Sequence, residues 1–243
     1  MEQLENKRKL LLISNSFCFG KGYLEHCASE VKNLLGDTLE LLFIPYALKD
    51  WDRYLKIAQE GFAKMGIQVK GIHKLPKKIT AINTAPAIFV GGGNTFRLLN
   101  QMYKENILEL IVQRINNGTP YLGASAGANM ACPTIKTTND MPIIFPPSFN
   151  ALNLVPFQIN PHYIDPDPTS KHMGETRDKR IAEFHEENET VVVGLREGSW
   201  IMVKDGFAHL GGETGAKIFR KNESPVEWEK SSSKDCRFWL EKY

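Results

Sequence analysis

The chain has 243 residues, of which 42% are hydrophobic and 24% are charged, a composition typical of a folded globular domain with an ample core. Its formal net charge of +2 gives no electrostatic reason to expect nucleic acid as a partner. No stretch approaches the roughly 20 apolar residues of a membrane span, and the four cysteines lack metal-ligand spacing. We therefore expect a cytoplasmic protein with no membrane partner.

Short apolar runs alternate with helical patterns along the first half of the chain. Strands are predicted at residues 10–13, 39–44, 67–72 and 87–90. Helices are predicted at residues 22–35, 49–65 and 96–115, the last one broken near Lys104. This alternation predicts βαβ units around a mainly parallel sheet flanked by helices.

The second half follows a different pattern. Residues 132–168 contain eight prolines, which exclude long helices there and favour loop and short strand. A helix is then predicted at 175–187 and strands at 191–194, 200–203 and 207–210, with Asp205-Gly206 as a hairpin turn. We expect one α/β domain over residues 1–243, with a polar C-terminal extension at 221–243 whose Phe238-Trp239-Leu240 segment docks on the body.

The pentapeptide Gly123-Ala124-Ser125-Ala126-Gly127 lies between a short apolar run and a helical run. Flanking small residues let a strand and a helix approach closely around a sharp turn, which is typical of a nucleophile elbow. Under this interpretation the Ser125 hydroxyl is the nucleophile. The alternative is a helix N-cap, since a serine before an Ala-rich turn satisfies backbone donors in any protein.

A second motif, Gly91-Gly92-Gly93-Asn94-Thr95, joins a predicted strand to a predicted helix. Successive glycine amides at a helix start can form an anion-binding nest. The dinucleotide fingerprint does not fit, because its third glycine position is Phe96. Gly92 and Gly93, with the Ala126 amide, are therefore candidates for stabilising an oxyanion. A plain tight turn is the alternative interpretation.

A serine nucleophile needs a base and an acid that orients it. Among six histidines, His162 is the best candidate base, because Asn160-Pro161-His162-Tyr163 lies in the proline-rich segment, where a rigid loop can present an imidazole. Two carboxylates fit as the acid. Glu197 follows a buried-looking strand, and Asp140 would restore the Ser, Asp, His order of α/β-hydrolases. The order of residues alone does not choose between them.

Six motifs in one order resemble the peptidase E family of cytosolic α-aspartyl dipeptidases, which is related to cyanophycinase. They are the following stretches: residues 89–96, 123–129, 138–142, 160–162, 174–177 and 197–200. The resemblance implies a flavodoxin-like, glutamine-amidotransferase-like α/β domain and a Ser125-His162-Glu197 triad. It also implies hydrolysis of small peptides, chiefly dipeptides, that begin with aspartate.

Selectivity for aspartate requires a cation against its β-carboxylate. Arg177 can supply a bidentate fork, and Asn94 can help to bind the substrate. Without the resemblance, Arg177 would be interpreted as a helix-surface charge. No metal or organic cofactor is expected. We also expect a homodimer in which Arg177 acts from the partner subunit, since its segment can reach a neighbouring chain.

Three alternatives remain at this point. A related acyl-transfer enzyme or a cyanophycinase-like hydrolase would act on another aspartyl compound. An amidotransferase-type enzyme would share the fold but favour a cysteine where this chain has Ser125. A non-catalytic ligand-binding module would have lost a member of the triad, whereas all three candidates are present in this sequence.

Overall fold

The computed structural model describes residues 7–169, 171, 173–230 and 233–235. The strands are, in chain order, β1 (Leu10–Ile13), β2 (Glu40–Ile44), β3 (Gln68–Gly71), β4 (Ile88–Val90), β5 (Tyr121–Ala124), β6 (Gln158–Tyr163), β7 (Val192–Arg196), β8 (Ser199–Lys204), β9 (Phe207–Gly212), β10 (Ala216–Phe219), β11 (Val226–Trp228) and β12 (Ser233–Asp235). The α-helices are α1 (Ala28–Leu35), α2 (Trp51–Ala63), α3 (Lys78–Thr84), α4 (Thr95–Lys104), α5 (Leu108–Asn116), α6 (Ala126–Met130) and α7 (Arg177–Glu187).

Eight strands form the main sheet, in the order β12-β9-β8-β1-β5-β4-β2-β3. Every pairing from β1 to β3 is parallel, whereas β8, β9 and β12 add an antiparallel edge. The predicted α/β fold with a mainly parallel sheet is therefore confirmed for the first half of the chain. Asp205 and Gly206 both have positive φ, at 53° and 82°, and form the predicted hairpin turn between β8 and β9.

A second sheet of four strands, in the order β11-β10-β7-β6, was not predicted from the sequence. In it β6 and β7 are parallel, while β10 is antiparallel to both β7 and β11. Parts of the predicted C-terminal extension belong to the sheets: β11 lies in this one, with Trp228 buried, and β12 lies in the main one. The predicted docking segment 238–240 lies outside the described residues.

The predicted helices are found with small changes at their ends. The break near Lys104 is confirmed, since α4 ends there and α5 begins at Leu108. The helix predicted from residue 22 begins only at Ala28, because Leu24 has a left-handed φ of 55° that a continuous helix does not allow. Residues 132–157 contain no α-helix, as their prolines predicted, and no named strand.

The core lies on both faces of the main sheet. Along β1, Leu10 and Leu12 pack into one apolar cluster while Leu11 and Ile13 pack into the other, and all four are fully buried. This is the burial expected of a parallel strand covered by helices on both sides. No helix in the described ranges has the length and apolar character that a membrane crossing requires. The carboxyl ends of β1, β4 and β5 remain available to build a site.

Candidate active site

Ser125 stands on a sharp turn between β5 and α6. Its backbone has φ 53° and ψ −110°, a conformation that a serine adopts only where the surrounding structure holds it. A Cβ at Gly127 would lie 2.0 Å from the carbonyl oxygen of Val90, so only glycine fits there. Ser125 occupies the N-cap position of α6, but its side chain makes no capping hydrogen bond. Its hydroxyl is thus available for another partner, as expected of a nucleophile elbow.

That partner is His162. The Ser125 Oγ lies 2.8 Å from the His162 Nε2, and the His162 Nδ1 lies 2.5 Å from the Glu197 Oε1. The three candidate residues therefore form one continuous hydrogen-bonded chain with the geometry of a catalytic triad. The His162 and Glu197 side chains are 37% and 59% exposed, so these hydrogen-bonded residues are accessible to solvent and to a small substrate.

The interpretation of His162 as a loop residue is wrong, because it lies within β6. In the register of β6 against β7, Pro161 lies opposite Leu195 and Tyr163 lies opposite Arg196. His162 has no partner between them and is therefore a bulge residue. Its φ of 54° turns the residue out of the strand. Pro161 is tolerated because β6 is an edge strand of its sheet.

Asp140, the alternative acid, is bound elsewhere. Its Oδ2 accepts hydrogen bonds from the Thr95 amide at 2.7 Å, the Thr95 hydroxyl at 2.6 Å and the Thr138 hydroxyl at 3.0 Å. Neighbouring Asn139 donates to the carbonyl of Pro161 at 2.6 Å. The segment with Asp140 thus links the start of α4 to β6, and Glu197, not Asp140, contacts the imidazole.

The glycine run after β4 lies against the elbow. A Cβ at Gly92 would come within 3.0 Å of the Ser125 Cβ, so the Gly92 backbone abuts the serine directly. Gly93 has a φ of 128°, and a Cβ there would lie 2.8 Å from the Ala47 carbonyl oxygen. Gly92 and Gly93 therefore stay oxyanion candidates beside the elbow, together with Ala126, whose amide begins α6 and has no intrahelical acceptor.

The two predicted substrate-binding residues have different surroundings. Asn94 caps α4, since its Oδ1 accepts from the Arg97 amide at 3.0 Å, and its Nδ2 donates to the Met141 carbonyl at 2.8 Å. Arg177 is half-buried at the first position of α7. Burial and the neighbouring charge of Arg180 lower the pKa of its guanidinium. Among the described residues, no carboxylate forms an ion pair with Arg177.

Comparison with known proteins identifies the family of this chain. The profile of Peptidase family S51 matches residues 10–211. The chain belongs to peptidase family S51. It is 52% identical over 218 residues to "Peptidase E" of Streptomyces coelicolor, covering 90% of each chain. It is 45% identical over 230 residues to a "Probable alpha-aspartyl dipeptidase" of Drosophila melanogaster, covering 92% of this chain and 95% of that one.

The fold is shared with solved structures as well. A peptidase from an acI-B1 Actinobacterium superposes with a TM-score of 0.69 at 15% identity, covering 95% of this chain and 98% of that one. At this level of identity the match supports the architecture alone. With the family assignment, it follows that this S51 chain is a serine peptidase.

Two polar residues of this S51 peptidase escaped the sequence analysis. Ser14 and Asn15 follow β1 directly and are 0% and 2% exposed. Ser14 accepts a hydrogen bond from the His162 amide, and Asn15 accepts one from the Gly198 amide beside Glu197. The signal that could have identified them is their place at the carboxyl end of a central parallel strand, where ligand and catalytic groups converge.

A network of charged side chains includes Arg196, the residue before Glu197. Arg196, next to Glu197, forms a bidentate pair with Asp165 at 2.6 and 2.9 Å, and it also binds Glu227 at 2.8 Å. The Lys217 Nζ lies 2.8 Å from Asp165. Hydrogen bonding from Arg196, and then from Lys217, holds the pKa of the Asp165 carboxyl well below its usual range. The Asp165 side chain is 43% exposed, so solvent screens part of this effect.

We predict that Asp165→Asn lowers stability most at neutral pH. Because the folded-state pKa of Asp165 is depressed, its contribution is complete above the unfolded value of about 3.9 and is lost as pH falls towards the folded value. We expect a loss of about 0.5 to 1 kcal/mol at pH 7. Urea unfolding at pH 7 and pH 3 measures it. The control is Asp37→Asn, at an exposed residue with no ion pair in the described ranges. A difference that does not shrink at pH 3 contradicts the prediction.

Proposed function

We propose that this protein is a serine dipeptidase that hydrolyses the peptide bond after an N-terminal aspartate, with Ser125, His162 and Glu197 as its catalytic triad. The observation that carries the proposal is the hydrogen-bonded chain from the Ser125 Oγ through the imidazole to the Glu197 carboxylate. The relatives named peptidase E and alpha-aspartyl dipeptidase support the substrate class.

The first half of the reaction forms an acyl-enzyme. His162 Nε2 takes the proton of the Ser125 hydroxyl as the Oγ attacks the carbonyl carbon of the N-terminal aspartyl residue. The amides of Gly92, Gly93 and Ala126 stabilise the negative oxygen of the tetrahedral intermediate. His162 then gives its proton to the leaving amine, and the second amino acid departs.

The second half returns the enzyme to its starting state. Water replaces the amine, gives a proton to His162 and attacks the aspartyl ester on Ser125. The ester bond breaks, the proton returns to the Ser125 Oγ, and free aspartate leaves. Glu197 accepts the hydrogen bond from Nδ1 throughout, which holds the productive tautomer and stabilises the imidazolium.

The choice of aspartate is assigned to Arg177. A half-buried guanidinium without a carboxylate partner in the described ranges retains its capacity to bind a substrate carboxylate in a bidentate manner. The start of α7 is held near the imidazole strand, because the Tyr163 hydroxyl donates to Asp178 at 2.5 Å. Asn94 is proposed as a helper through its side-chain amide.

We predict that Arg177→Met narrows the preference for aspartate over asparagine. Loss of a buried ion-pair partner costs about 3 to 5 kcal/mol, which corresponds to roughly 10^2 to 5 × 10^3 in kcat/KM for Asp-Leu. The uncharged Asn-Leu should lose much less. Steady-state kinetics with both dipeptides measures the effect.

The matched control for this variant is Arg180→Met on the same helix. Arg180 is half-exposed and lies near Glu175, so its loss should change both substrates by less than about threefold. If Arg177→Met lowers Asp-Leu and Asn-Leu hydrolysis equally, Arg177 is structural, and Asn94 becomes the first residue to examine for aspartate selection.

A substrate screen tests the activity as a whole. Wild-type protein is incubated with Asp-Leu, Asn-Leu, Glu-Leu and N-acetyl-Asp-Leu, and release of leucine is followed. We expect cleavage of Asp-Leu above all others. Cleavage only of other aspartyl compounds would instead support a cyanophycinase-like hydrolase, and binding without turnover would support a non-catalytic module.

The homodimer and the cytoplasmic location stay predictions. Exposed apolar side chains support self-association: Met141 and Phe145 in one segment, and Ile164 and Met173 in another. Light scattering coupled to size exclusion tests the assembly. A mass near 27.5 kDa at all concentrations would contradict the homodimer.

A further inference from the structure

Three consecutive residues at the end of β1 each contact a different member of the triad or its neighbour. The Ile13 carbonyl accepts from the Ser125 amide at 2.9 Å. The Ser14 hydroxyl accepts from the His162 amide at 2.9 Å. The Asn15 Oδ1 accepts from the Gly198 amide, next to Glu197, at 2.8 Å. β1 thus holds all three catalytic segments, which come from distant parts of the chain.

The Ser14 contact compensates for the bulge in β6. His162 has no ladder partner in β7, so its backbone amide needs another acceptor. Ser14 Oγ accepts that amide hydrogen and donates its own hydrogen to the Leu195 carbonyl at 2.8 Å. One hydroxyl therefore joins β6 and β7 at the point where their ladder is interrupted, and it fixes the residue whose φ of 54° directs the imidazole.

The Asn15 contact acts on the acid. The loop after β7 turns through Gly198, which has φ 81°, and Asn15 Oδ1 holds the amide of that glycine. The Asn15 Nδ2 donates to the Phe17 carbonyl at 2.6 Å, so the amide side chain is itself fixed. On the other side of the loop, the Thr214 hydroxyl donates to the Glu197 carbonyl at 2.5 Å. The Glu197 backbone is thus held from two directions.

We propose that Ser14 and Asn15 are positioning residues of the active site, Ser14 for His162 and Asn15 for Glu197. The inference rests on the proposed triad. Both side chains are almost fully buried, so neither is available to a substrate, and each acts through the backbone of a catalytic residue. A triad needs its groups within fractions of an ångström of the productive arrangement, which makes such supports matter for turnover more than for binding.

The first test is Ser14→Ala, measured as kcat and KM for Asp-Leu and corrected for the folded fraction. We expect kcat to fall by about 10-fold to 10^2-fold, the scale of a misplaced catalytic group, with KM changed by less than about threefold. Long-range 1H–15N spectra of histidine-labelled protein, assigned with His162→Ala, should show loss of the single Nδ1–H tautomer of His162.

The matched control is Thr137→Val. Thr137 is also buried, and its hydroxyl donates to the Ile159 carbonyl on β6 at 2.8 Å, three residues before the imidazole. The variant loses a buried hydroxyl that bonds to the same strand, without releasing residue 162. It should lower the thermal midpoint about as much as Ser14→Ala while leaving kcat within twofold and the tautomer unchanged.

Asn15→Ala tests whether Asn15 positions Glu197. It also tests the inference if Ser14→Ala does not fold. We expect kcat to fall about tenfold in the wild type, and to change little further when Glu197→Gln is already present, because Asn15 acts through that residue. Full additivity of the two changes would overturn its assignment.

The outcomes separate the inference from the function on which it rests. Suppose that Ser14→Ala keeps the wild-type kcat and the wild-type His162 tautomer while Ser125→Ala is inactive. That result overturns the positioning role and leaves the proposed function intact. Activity in Ser125→Ala overturns both.

Discussion

Ser125→Ala should abolish peptidase activity while leaving the protein folded. Removal of a serine nucleophile costs about 10^6 in kcat in a comparable serine protease, because the acyl-enzyme cannot form. The change deletes only the Oγ, whose recorded partner is the His162 Nε2. Backbone contacts that hold the elbow, such as the Ser125 amide to the Ile13 carbonyl at 2.9 Å, do not depend on it. Leucine release from Asp-Leu measures the loss, and circular dichroism reports folding.

The same variant offers a second measurement. Since Arg177 and the amides of the glycine run are untouched, Ser125→Ala should still bind Asp-Leu in calorimetry with an affinity near the wild-type KM. Ser29→Ala, at an exposed serine whose hydroxyl donates to Glu30, is the matched control and should retain full activity. Near-wild-type turnover by purified Ser125→Ala would refute the proposed mechanism.

The elbow could be predicted from sequence because its constraints are local. Gly123 and Gly127 are needed where a strand and a helix approach closely, and the Cβ that each glycine lacks would meet backbone atoms within 2.4 Å. The same holds for Gly93, whose φ of 128° favours glycine. At such positions the backbone conformation requires glycine, so a short glycine-containing motif is sufficient to predict the turn.

The environment of His162 could not be predicted in this way. High proline content correctly excluded long helices from residues 132–168, but it does not distinguish loop from short strand, and the interpretation of His162 as a loop residue is wrong. Proline is compatible with a strand at the edge of a sheet, and nothing local to Asn160-Pro161-His162 shows that β6 would be one. The bulge depends on Ser14, which is far away in sequence, so the position of the imidazole is a tertiary property.

Which of the two carboxylates contacts His162 also depends on tertiary contacts. Glu197 and Asp140 both follow plausible structural elements, and each could have faced the imidazole. Two threonines supply three hydrogen bonds to the Asp140 Oδ2, which turns this carboxylate towards the start of α4. Partners such as Thr95 and Thr138 become visible only when the segments are assembled.

Glu197→Gln should therefore be far more damaging to turnover than Asp140→Asn. A glutamine amide can donate to the His162 Nδ1 as well as accept from it. The first arrangement stabilises the tautomer whose Nε2 carries a proton and cannot act as base towards Ser125. We expect kcat for Asp-Leu to fall by roughly 10^2 to 10^4, the range for a base in the wrong orientation or tautomer. KM should change little.

Asp140→Asn is the matched carboxylate-to-amide control. An asparagine oxygen can keep the hydrogen bonds from Thr95 and Thr138, so the change should affect kcat by less than about tenfold. Any larger effect should fall on KM, because Asp140 supports the segment that begins with Asn94 beside the glycine run. The reverse ranking of the two variants in kcat would transfer the orienting role to Asp140. That result would also require the Asp140 carboxylate to leave three hydrogen bonds and reach the imidazole during the reaction.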